Sequence, residues 1–210
     1  MDYQPAAGTL LDAGCAGAVD LYRRSVSAER IQDGGHRAPL QLPLMRTAVA
    51  LGSNLGDRLE NLRAARRQII ELDRIQPPVL SSGIYETEPV DCEPGASKFL
   101  NTVIEFDFEG DPAQLLEKLV RIEESLGRKR DHPKNVSRKI DIDLLYCGDQ
   151  QIDNERLQLP HLRMHLRKFV LQPLADIHPE LVLPGQTRTV RELLAELKEP
   201  GVVVRLANNC

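Results

Sequence analysis

Apolar and acidic side chains alternate along Ser137–Cys147, SRKIDIDLLYC, which is the period-two pattern of a β-strand with one buried face. Ile140 and Ile142 fall on the apolar side, and Asp141 and Asp143 fall together on the other. At ~3.3 Å per residue the two carboxylates lie roughly 7 Å apart along the strand. Paired carboxylates bind Mg²⁺, but such a pair is also typical of a strand that faces water. A metal site therefore requires further polar groups on the same face.

Basic residues precede this strand. Arg138 stands directly before the carboxylates, and Arg128, Lys129 and Arg130 form a run a little upstream. Arginine binds phosphate through charge-assisted hydrogen bonds. Alone, such a run indicates a solvated surface, but its position beside the carboxylates favours a loop that closes over phosphates. The combination predicts a nucleoside-triphosphate site with magnesium.

Length and composition limit the classes of protein to consider. A chain of 210 residues with 41% hydrophobic and 28% charged residues can form one well-buried domain of ordinary globular type. The net charge of −4 argues against a general nucleic-acid binder. The cysteines show no C-x-x-C spacing, and no apolar run reaches the ~20 residues that span a bilayer. We expect a cytoplasmic monomer with reduced thiols and without membrane or nucleic-acid partners.

The first 46 residues differ in composition from the remainder. They are rich in Ala and Gly, their apolar stripe is thin, and no basic segment precedes an apolar one as it does in a signal peptide. We expect residues 1–46 to form a poorly ordered extension and residues 47–210 to form the functional domain.

Hydrophobic periodicity and turn residues predict the order of elements in that domain. Strands are predicted over 47–51, 79–86, 99–108 and 140–145, and helices over 57–72 and 111–126. This order is the α+β, ferredoxin-like βαββαβ plan, in which right-handed crossovers pack both helices on one face of the sheet. A small hairpin, two helices and a last strand over 202–206 are predicted to follow.

The helices determine which side chains reach the other, open face of the sheet. Ile142 must face the helices, so Asp141 and Asp143 point away from them. The same parity places Gly52 and Asn101 on the open face. Because these polar and small residues share one surface, a functional site there is favoured over a solvated strand.

The segment 160–169, PHLRMHLRKF, concentrates histidine, arginine and one aromatic side chain. A lone histidine is usually structural, whereas this cluster is suited to extend an anion site. Phe169 at its end is suited to stack on a flat ring.

The following segments together resemble the 6-hydroxymethyl-7,8-dihydropterin pyrophosphokinase family of folate biosynthesis. They are, in family order, ALGSNLGDR (50–58), SSGIYETEPV (81–90), FLN (99–101), RIEESLGRKR (121–130), SRKIDIDLLYCG (137–148) and LPHLRMHLRKFVLQPLADIHPEL (159–181). The match covers the chain from about residue 47 to its C-terminus, and the combination is far more specific than any one segment.

The resemblance implies transfer of the pyrophosphoryl group of ATP to the pterin hydroxymethyl oxygen, with release of AMP. Asp141 and Asp143 would hold two Mg²⁺ ions that bridge the ATP phosphates. The implied catalytic residues are Arg128, Arg138, Asp141 and Asp143, and the implied ATP contacts are Glu123, Arg128, Arg138, Ile142, His161 and Arg167. The implied pterin contacts are Gly52, Thr87, Val90, Phe99, Asn101 and Phe169, with the two phenylalanines on either side of the ring.

One loop departs from the family pattern. Where the family commonly carries W-G-P-R, this chain has Asn135, Val136, Ser137 and Arg138. The missing Trp removes a stacking lid over the site. The missing Pro predicts a looser approach to Arg138 and slower closure of the loop.

Two other functions compete with this interpretation. One is a two-metal nucleotidyltransferase, which the 161–169 cluster and the acidic charge balance disfavour. The other is a non-catalytic ferredoxin-like module that binds a small ligand or RNA. RNA binding predicts exposed aromatic side chains on the central strands, and only Phe99 is a candidate.

Overall fold

The computed structural model describes residues 43–90, 92–128, 136–198 and 202–207. The strands are β1 Leu44–Ser53, β2 Ile75–Ser81, β3 Ile84–Thr87, β4 Phe99–Glu109, β5 Asp141–Cys147, β6 Ile152–Asp153, β7 Gln158–Leu159 and β8 Val203–Ala207. The helices are α1 Arg58–Ile70, α2 Pro112–Ser125, α3 Lys168–Ile177 and α4 Val190–Glu196, with a 3-10 turn at Met164–Leu166. None of these helices has the length and apolar character needed to cross a bilayer.

The boundary predicted for the N-terminal extension does not coincide with the start of β1. The extension was expected to end at residue 46, whereas β1 already begins at Leu44. Residues 1–42 lie outside the described residues.

The main sheet is antiparallel, with the order β5-β1-β4-β3-β8, and β2 also pairs with β4. Without β8 this is the strand order of a ferredoxin-like sheet, so the predicted α+β βαββαβ plan is confirmed. The β6–β7 hairpin, α3, α4 and β8 follow this core in the predicted order.

The prediction of one strand over 79–86 is wrong, because the structure has two strands separated at Ser82. The N–H of Ser82 donates to the carbonyl of Val103 at 2.9 Å, and Ser82 Oγ accepts from the N–H of Val103 at 2.9 Å. The hydroxyl thus replaces a backbone acceptor and interrupts the ladder.

Helices α1 and α2 cover one face of the sheet and enclose the main core. Its buried side chains include Val49, Leu51, Leu62, Ile69, Ile104, Phe106, Leu115, Leu119, Ile140, Ile142 and Leu144. Asp57 caps α1 by accepting from the N–H of Glu60 at 3.0 Å. Asp111 caps α2 by accepting from the N–H of Ala113 at 2.9 Å. The apolar side of β5 faces this core, as predicted.

The second face of the sheet is covered at one end, although the sequence predicts it to be open. Helices α3 and α4 pack there in a second core of Ala48, Val103, Leu145, Tyr146, Met164, Val170, Leu171, Leu174, Leu183 and Val190. Periodicity within single elements does not reveal which distant helix covers a face. Asp141 and Asp143, near the start of β5, remain partly exposed beyond this second core.

A β-bulge at Leu145 shifts the alternation of β5, so that Leu145 and Tyr146 both lie in the second core. Leu144 pairs with Val49 of β1, and Tyr146 pairs with the adjacent residue Ala48. Leu145 therefore has no partner of its own on β1 and is the extra residue of the bulge. Simple alternation would turn Tyr146 toward α1 and α2. The bulge turns it to the second face, where its hydroxyl donates to Glu105 Oε1 at 2.5 Å.

Glu105 is a buried carboxylate on the second face, beside the C-terminus of α3. Its Oε2 lies 2.8 Å from His178 Nε2 and 3.9 Å from Arg46 Nε. A buried carboxylate is tolerated only where charges and hydrogen-bond donors compensate its lost hydration. The donors around Glu105 therefore attach α3 to the sheet.

We expect Tyr146→Phe to lower the free energy of unfolding by about 2 kcal/mol, because it removes a donor from a charged side chain that is only 2% exposed. Tyr85→Phe is the matched control. Tyr85 donates at 2.8 Å to Asp176, which is 19% exposed and also accepts from the N–H of Gly83. Tyr85→Phe should lower the free energy of unfolding by only about 1 kcal/mol. Urea unfolding measures both, and equal or reversed losses would contradict the role given to Glu105.

Candidate active site

Asp141 and Asp143 lie on the sheet face opposite α1 and α2, as the alternation predicts. Their side chains are 24% and 32% exposed, so both are accessible to a ligand. Between them, the Ile142 side chain is buried in the main core. The rigid strand therefore presents two carboxylates to one side.

Three arginine side chains approach these carboxylates. Arg128 Nη1 and Arg138 Nη1 lie 2.7 Å and 3.1 Å from Asp141 Oδ1. Arg167 Nη1 lies 3.8 Å from Asp143 Oδ2. The structure thus brings together the four residues expected to be catalytic and Arg167, one of the expected ATP contacts.

Arg138 carries an unusual unpaired donor. Within the described ranges, its Nε is the one buried side-chain nitrogen or oxygen that has no hydrogen-bond partner. Its guanidinium carbon lies 6.0 Å from the centroid of the Phe99 ring. A buried donor without an acceptor is unfavourable, and an anionic ligand would satisfy it.

Glu123, on α2, contacts the backbone of the carboxylate strand. Its Oε1 accepts from the N–H of Ile142 at 2.7 Å and is ion-paired with Arg128. Burial raises the pKa of Glu123 to about 8, with added repulsion from Asp141, while Arg128 and the Ile142 N–H oppose the rise. Glu123 therefore positions β5 and Arg128 from the helix side.

The environment of Asp143 favours a cation. Partial burial of the Asp143 carboxyl, whose side chain is 32% exposed, raises its pKa, and the nearby Asp141 charge raises it further. His161 and Arg167 oppose that rise with smaller effects. Two carboxylates whose negative charges are mutually unfavourable match the donor set of Mg²⁺, which takes one or two carboxylates together with phosphate and water ligands.

Gly52 connects the carboxylates to the residues expected to bind the pterin. On β1 it pairs with Asp141 on one side and with Asn101 on the other. A Cβ at position 52 would lie 3.1 Å from Asn101 Oδ1 and 3.7 Å from Phe99 Cδ1. The two flanking strands are about 10 Å apart, twice the usual strand spacing. A glycine here keeps the space between them open.

Asn101 is oriented by a neighbouring strand. Its Nδ2 donates to Thr87 Oγ1 at 2.8 Å, and both side chains are buried. Because the amide nitrogen is engaged, the position of Oδ1 on the Gly52 side is defined.

The remaining predicted residues lie in or beside loops. Phe169 is partly buried, and the guanidinium carbon of Arg167 lies 5.4 Å from its ring centroid. The N–H of His161 donates to the carbonyl of Leu145 at 2.7 Å. Val90 is 44% exposed. Lys129, Arg130 and Asn135, which belong to the predicted phosphate loop, lie outside the described residues.

The expected looseness before Arg138 is not observed. Ser137 stands where the family pattern has Pro, and its N–H and Oγ–H donate to Glu93 Oε1 at 3.0 Å and 2.6 Å. Asn54, which the sequence analysis includes only within the segment ALGSNLGDR, accepts from the N–H of Arg138 at 2.7 Å. These contacts join segments distant in sequence, so periodicity carries no signal for them.

Comparison with known proteins gives one consistent result. The family model described as 7,8-dihydro-6-hydroxymethylpterin-pyrophosphokinase (HPPK) matches residues 48–179. A Haemophilus influenzae protein named 2-amino-4-hydroxy-6-hydroxymethyldihydropteridine pyrophosphokinase is 36% identical over 74% of this chain and 94% of its own length. A Methylorubrum extorquens protein of the same name is 40% identical over 76% of this chain and 98% of its own.

Solved structures show the same fold. A crystal structure of an HPPK-DHPS protein in complex with substrates aligns with a TM-score of 0.59 at 16% identity, over 73% of this chain and 43% of that one. A Plasmodium falciparum HPPK-DHPS structure with pterin and p-hydroxybenzoate aligns with a TM-score of 0.58 at 17% identity, over 75% and 44%. The chain therefore spans less than half of these longer proteins.

We expect Glu123→Gln to change the pH dependence of stability. The pKa of Glu123 is about 8 in the folded protein and ordinarily 4.5, so folding favours its protonated form. That contribution is complete below pH 4.5 and is lost as the pH rises through 8. Relative to that of Glu123→Gln, the free energy of unfolding of the wild type should fall by up to about 5 kcal/mol as the pH rises from about 4.5 to about 8. Urea unfolding at several pH values measures the difference, and parallel stability curves would contradict it.

Proposed function

The chain belongs to the 7,8-dihydro-6-hydroxymethylpterin-pyrophosphokinase family, and we propose that the residues around Asp141 and Asp143 form its active site. The enzyme transfers pyrophosphate from ATP to 6-hydroxymethyl-7,8-dihydropterin in folate biosynthesis, giving the pterin diphosphate and AMP. The observation that carries the location is the convergence of carboxylates, arginines and Asn101 around Gly52 on one face. Nothing among the described residues favours the non-catalytic ligand- or RNA-binding alternative.

Asp141 and Asp143 are the residues we assign to two Mg²⁺ ions. The support is their shared face, their exposure and the raised pKa of Asp143. When bound, magnesium neutralises phosphate charge and stabilises an in-line displacement. The aspartates themselves fix the position of that charge relative to the arginines, because a strand backbone allows them little movement.

Arg128, Arg138, Arg167 and His161 are assigned to the polyphosphate. In the protein alone, Arg128 and Arg138 contact Asp141. With the carboxylates engaged by cations, the same guanidinium groups are available to phosphate oxygens, which they bind in a bidentate manner. Because AMP leaves, the reacting atom is the β-phosphorus, and the arginines stabilise the charge that develops around it.

Glu123 and Ile142 support the nucleotide site through the backbone. The Ile142 side chain is buried, and its N–H is engaged by Glu123 at 2.7 Å. Any contact of Ile142 with ATP is therefore through its carbonyl group. Glu123 keeps the carboxylate strand and Arg128 in place and contributes indirectly.

The pterin pocket is assigned to the Asn101 side of Gly52. Asn101 Oδ1, held by the bond of Nδ2 to Thr87, is suited to accept from the amino edge of the pterin. Phe99 and Phe169 are the aromatic surfaces for its ring. Val90 borders the pocket from the loop after β3. Gly52 leaves the volume that the ring needs.

The proposed site is tested by quantifying AMP and pterin diphosphate after mixing protein, ATP, Mg²⁺ and 6-hydroxymethyl-7,8-dihydropterin. The wild type should form them in equal amounts, and Asp143→Ala should lower kcat by about 10³-fold because charge stabilisation is lost. Asp153→Ala, an exposed aspartate of the β6–β7 hairpin bonded to Gln158 at 2.9 Å, is the control and should retain activity. An active Asp143→Ala would reject the metal assignment, and ADP as product would reject pyrophosphoryl transfer.

Gly52→Ala should raise the KM for the pterin by about tenfold, because the added methyl group would lie 3.1 Å from Asn101 Oδ1 and narrow the pocket. The KM for ATP, measured in the same steady-state experiment, is the internal control and should change less than twofold. Equal increases in both KM values would place Gly52 outside the pterin pocket.

A further inference from the structure

Asn54 holds the backbone of Arg138 from both sides. It follows the last residue of β1 and is only 2% exposed. Its N–H donates to the carbonyl of Arg138 at 3.1 Å, and its Oδ1 accepts from the N–H of Arg138 at 2.7 Å. Both backbone polar groups of Arg138 are therefore bound by a single residue.

The amide nitrogen of Asn54 extends this contact to two further segments. Asn54 Nδ2 donates to Ser137 Oγ at 2.9 Å and to the carbonyl of Ser97 at 3.3 Å. Ser137 in turn donates to Glu93 Oε1 from its N–H and its Oγ, at 3.0 Å and 2.6 Å. Ser97 and Glu93 both lie between β3 and β4. The approach to β5 is thus bonded to the end of β1 and to the segment before β4.

We propose that Asn54, Ser137 and Glu93 form a clamp, here termed the Arg138 clamp, that positions the Arg138 guanidinium for phosphate. This inference rests on the role proposed above for Arg138. The three residues do not touch the substrates in the proposed site; they act through Arg138, as positioning residues.

Preorganisation is the physical reason for such a clamp. A misplacement of about 1 Å at a reacting centre reduces rates by about 10²-fold. The Nε of Arg138 is buried and unpaired, which is unfavourable in the protein alone and would be relieved by an anionic ligand. A proline before Arg138 would fix the chain through its ring. Ser137 fixes it through hydrogen bonds, for which Glu93 is the acceptor.

The same contacts also couple the two halves of the site. Glu93 lies three residues from Val90, which borders the proposed pterin pocket. A change in the segment before β4 therefore changes the acceptor that holds Ser137.

The test measures kcat for Glu93→Ala, alone and combined with Arg138→Ala. Glu93 is exposed, whereas Asn54 is buried, so Glu93→Ala should leave the fold intact, and thermal melting by circular dichroism checks this. We expect Glu93→Ala to lower kcat about tenfold, from loss of charged hydrogen bonds. Glu93→Gln keeps an acceptor, and its kcat should stay within about threefold of the wild-type value.

In the Arg138→Ala background, Glu93→Ala should change kcat less than twofold, because the effects of residues that act through one group are not additive.

Glu88→Ala is the matched control. Glu88 belongs to the same segment and pairs with Lys98 at 2.8 Å, away from the Ser137 contacts, so its removal should leave kcat unchanged. A full tenfold loss on Glu93→Ala in the Arg138→Ala background, or no loss in the wild type, overturns the clamp and leaves the role of Arg138 standing. An unchanged kcat for Arg138→Ala alone overturns the proposed role of Arg138, and the clamp with it.

Discussion

Repulsion between the carboxylates of Asp141 and Asp143, with the buried carboxyl of Glu123 beside them, is the interaction that the rest of the site offsets. β5 fixes the two aspartates roughly 7 Å apart, and Glu123 is bonded to the backbone between them. Arg128 and Arg138 compensate the charge in the protein alone. In the proposed site, cations would bind the carboxylates, and the guanidinium groups would then be available to phosphate. In the protein alone, these oppositely charged groups pair with one another.

The antiparallel sheet determines how far the nucleotide chemistry lies from the pterin. β1 is paired with β5 on one side and β4 on the other, and Gly52 faces Asp141 and Asn101 at the same level. The backbones at Asp141 and Asn101 are therefore two strand spacings apart, about 10 Å. This distance is rigid because a packed layer of helices supports the opposite face of the sheet. In the proposed site, a side chain at position 52 would occupy the gap between the residues assigned to the pterin and those assigned to ATP.

Local sequence patterns were sufficient to predict the features of the fold and the site that depend on residues close together in the sequence. Alternation assigned Asp141 and Asp143 to one face, and hydrophobic periodicity with turn residues located the two helices that cover the other. The bulge at Leu145 and the break at Ser82 were not predicted, because each depends on a partner from another strand. The covering of the second face by α3 and α4 was missed for the same reason. The expected roles of the phenylalanines came from family resemblance and not from periodicity.

The contacts of Ser137 show how one chemical requirement can be met in two ways. A proline restricts the backbone by its own ring and needs no partner, so the arginine after it is positioned locally. A serine restricts the backbone only while its acceptor is present, and here that acceptor, Glu93, belongs to a segment more than 40 residues away. Positioning of Arg138 then depends on tertiary structure near the pterin pocket. In the proposed clamp, a tertiary contact thus takes the place of a local constraint, and the segment that carries Glu93 contributes to holding the backbone before Arg138.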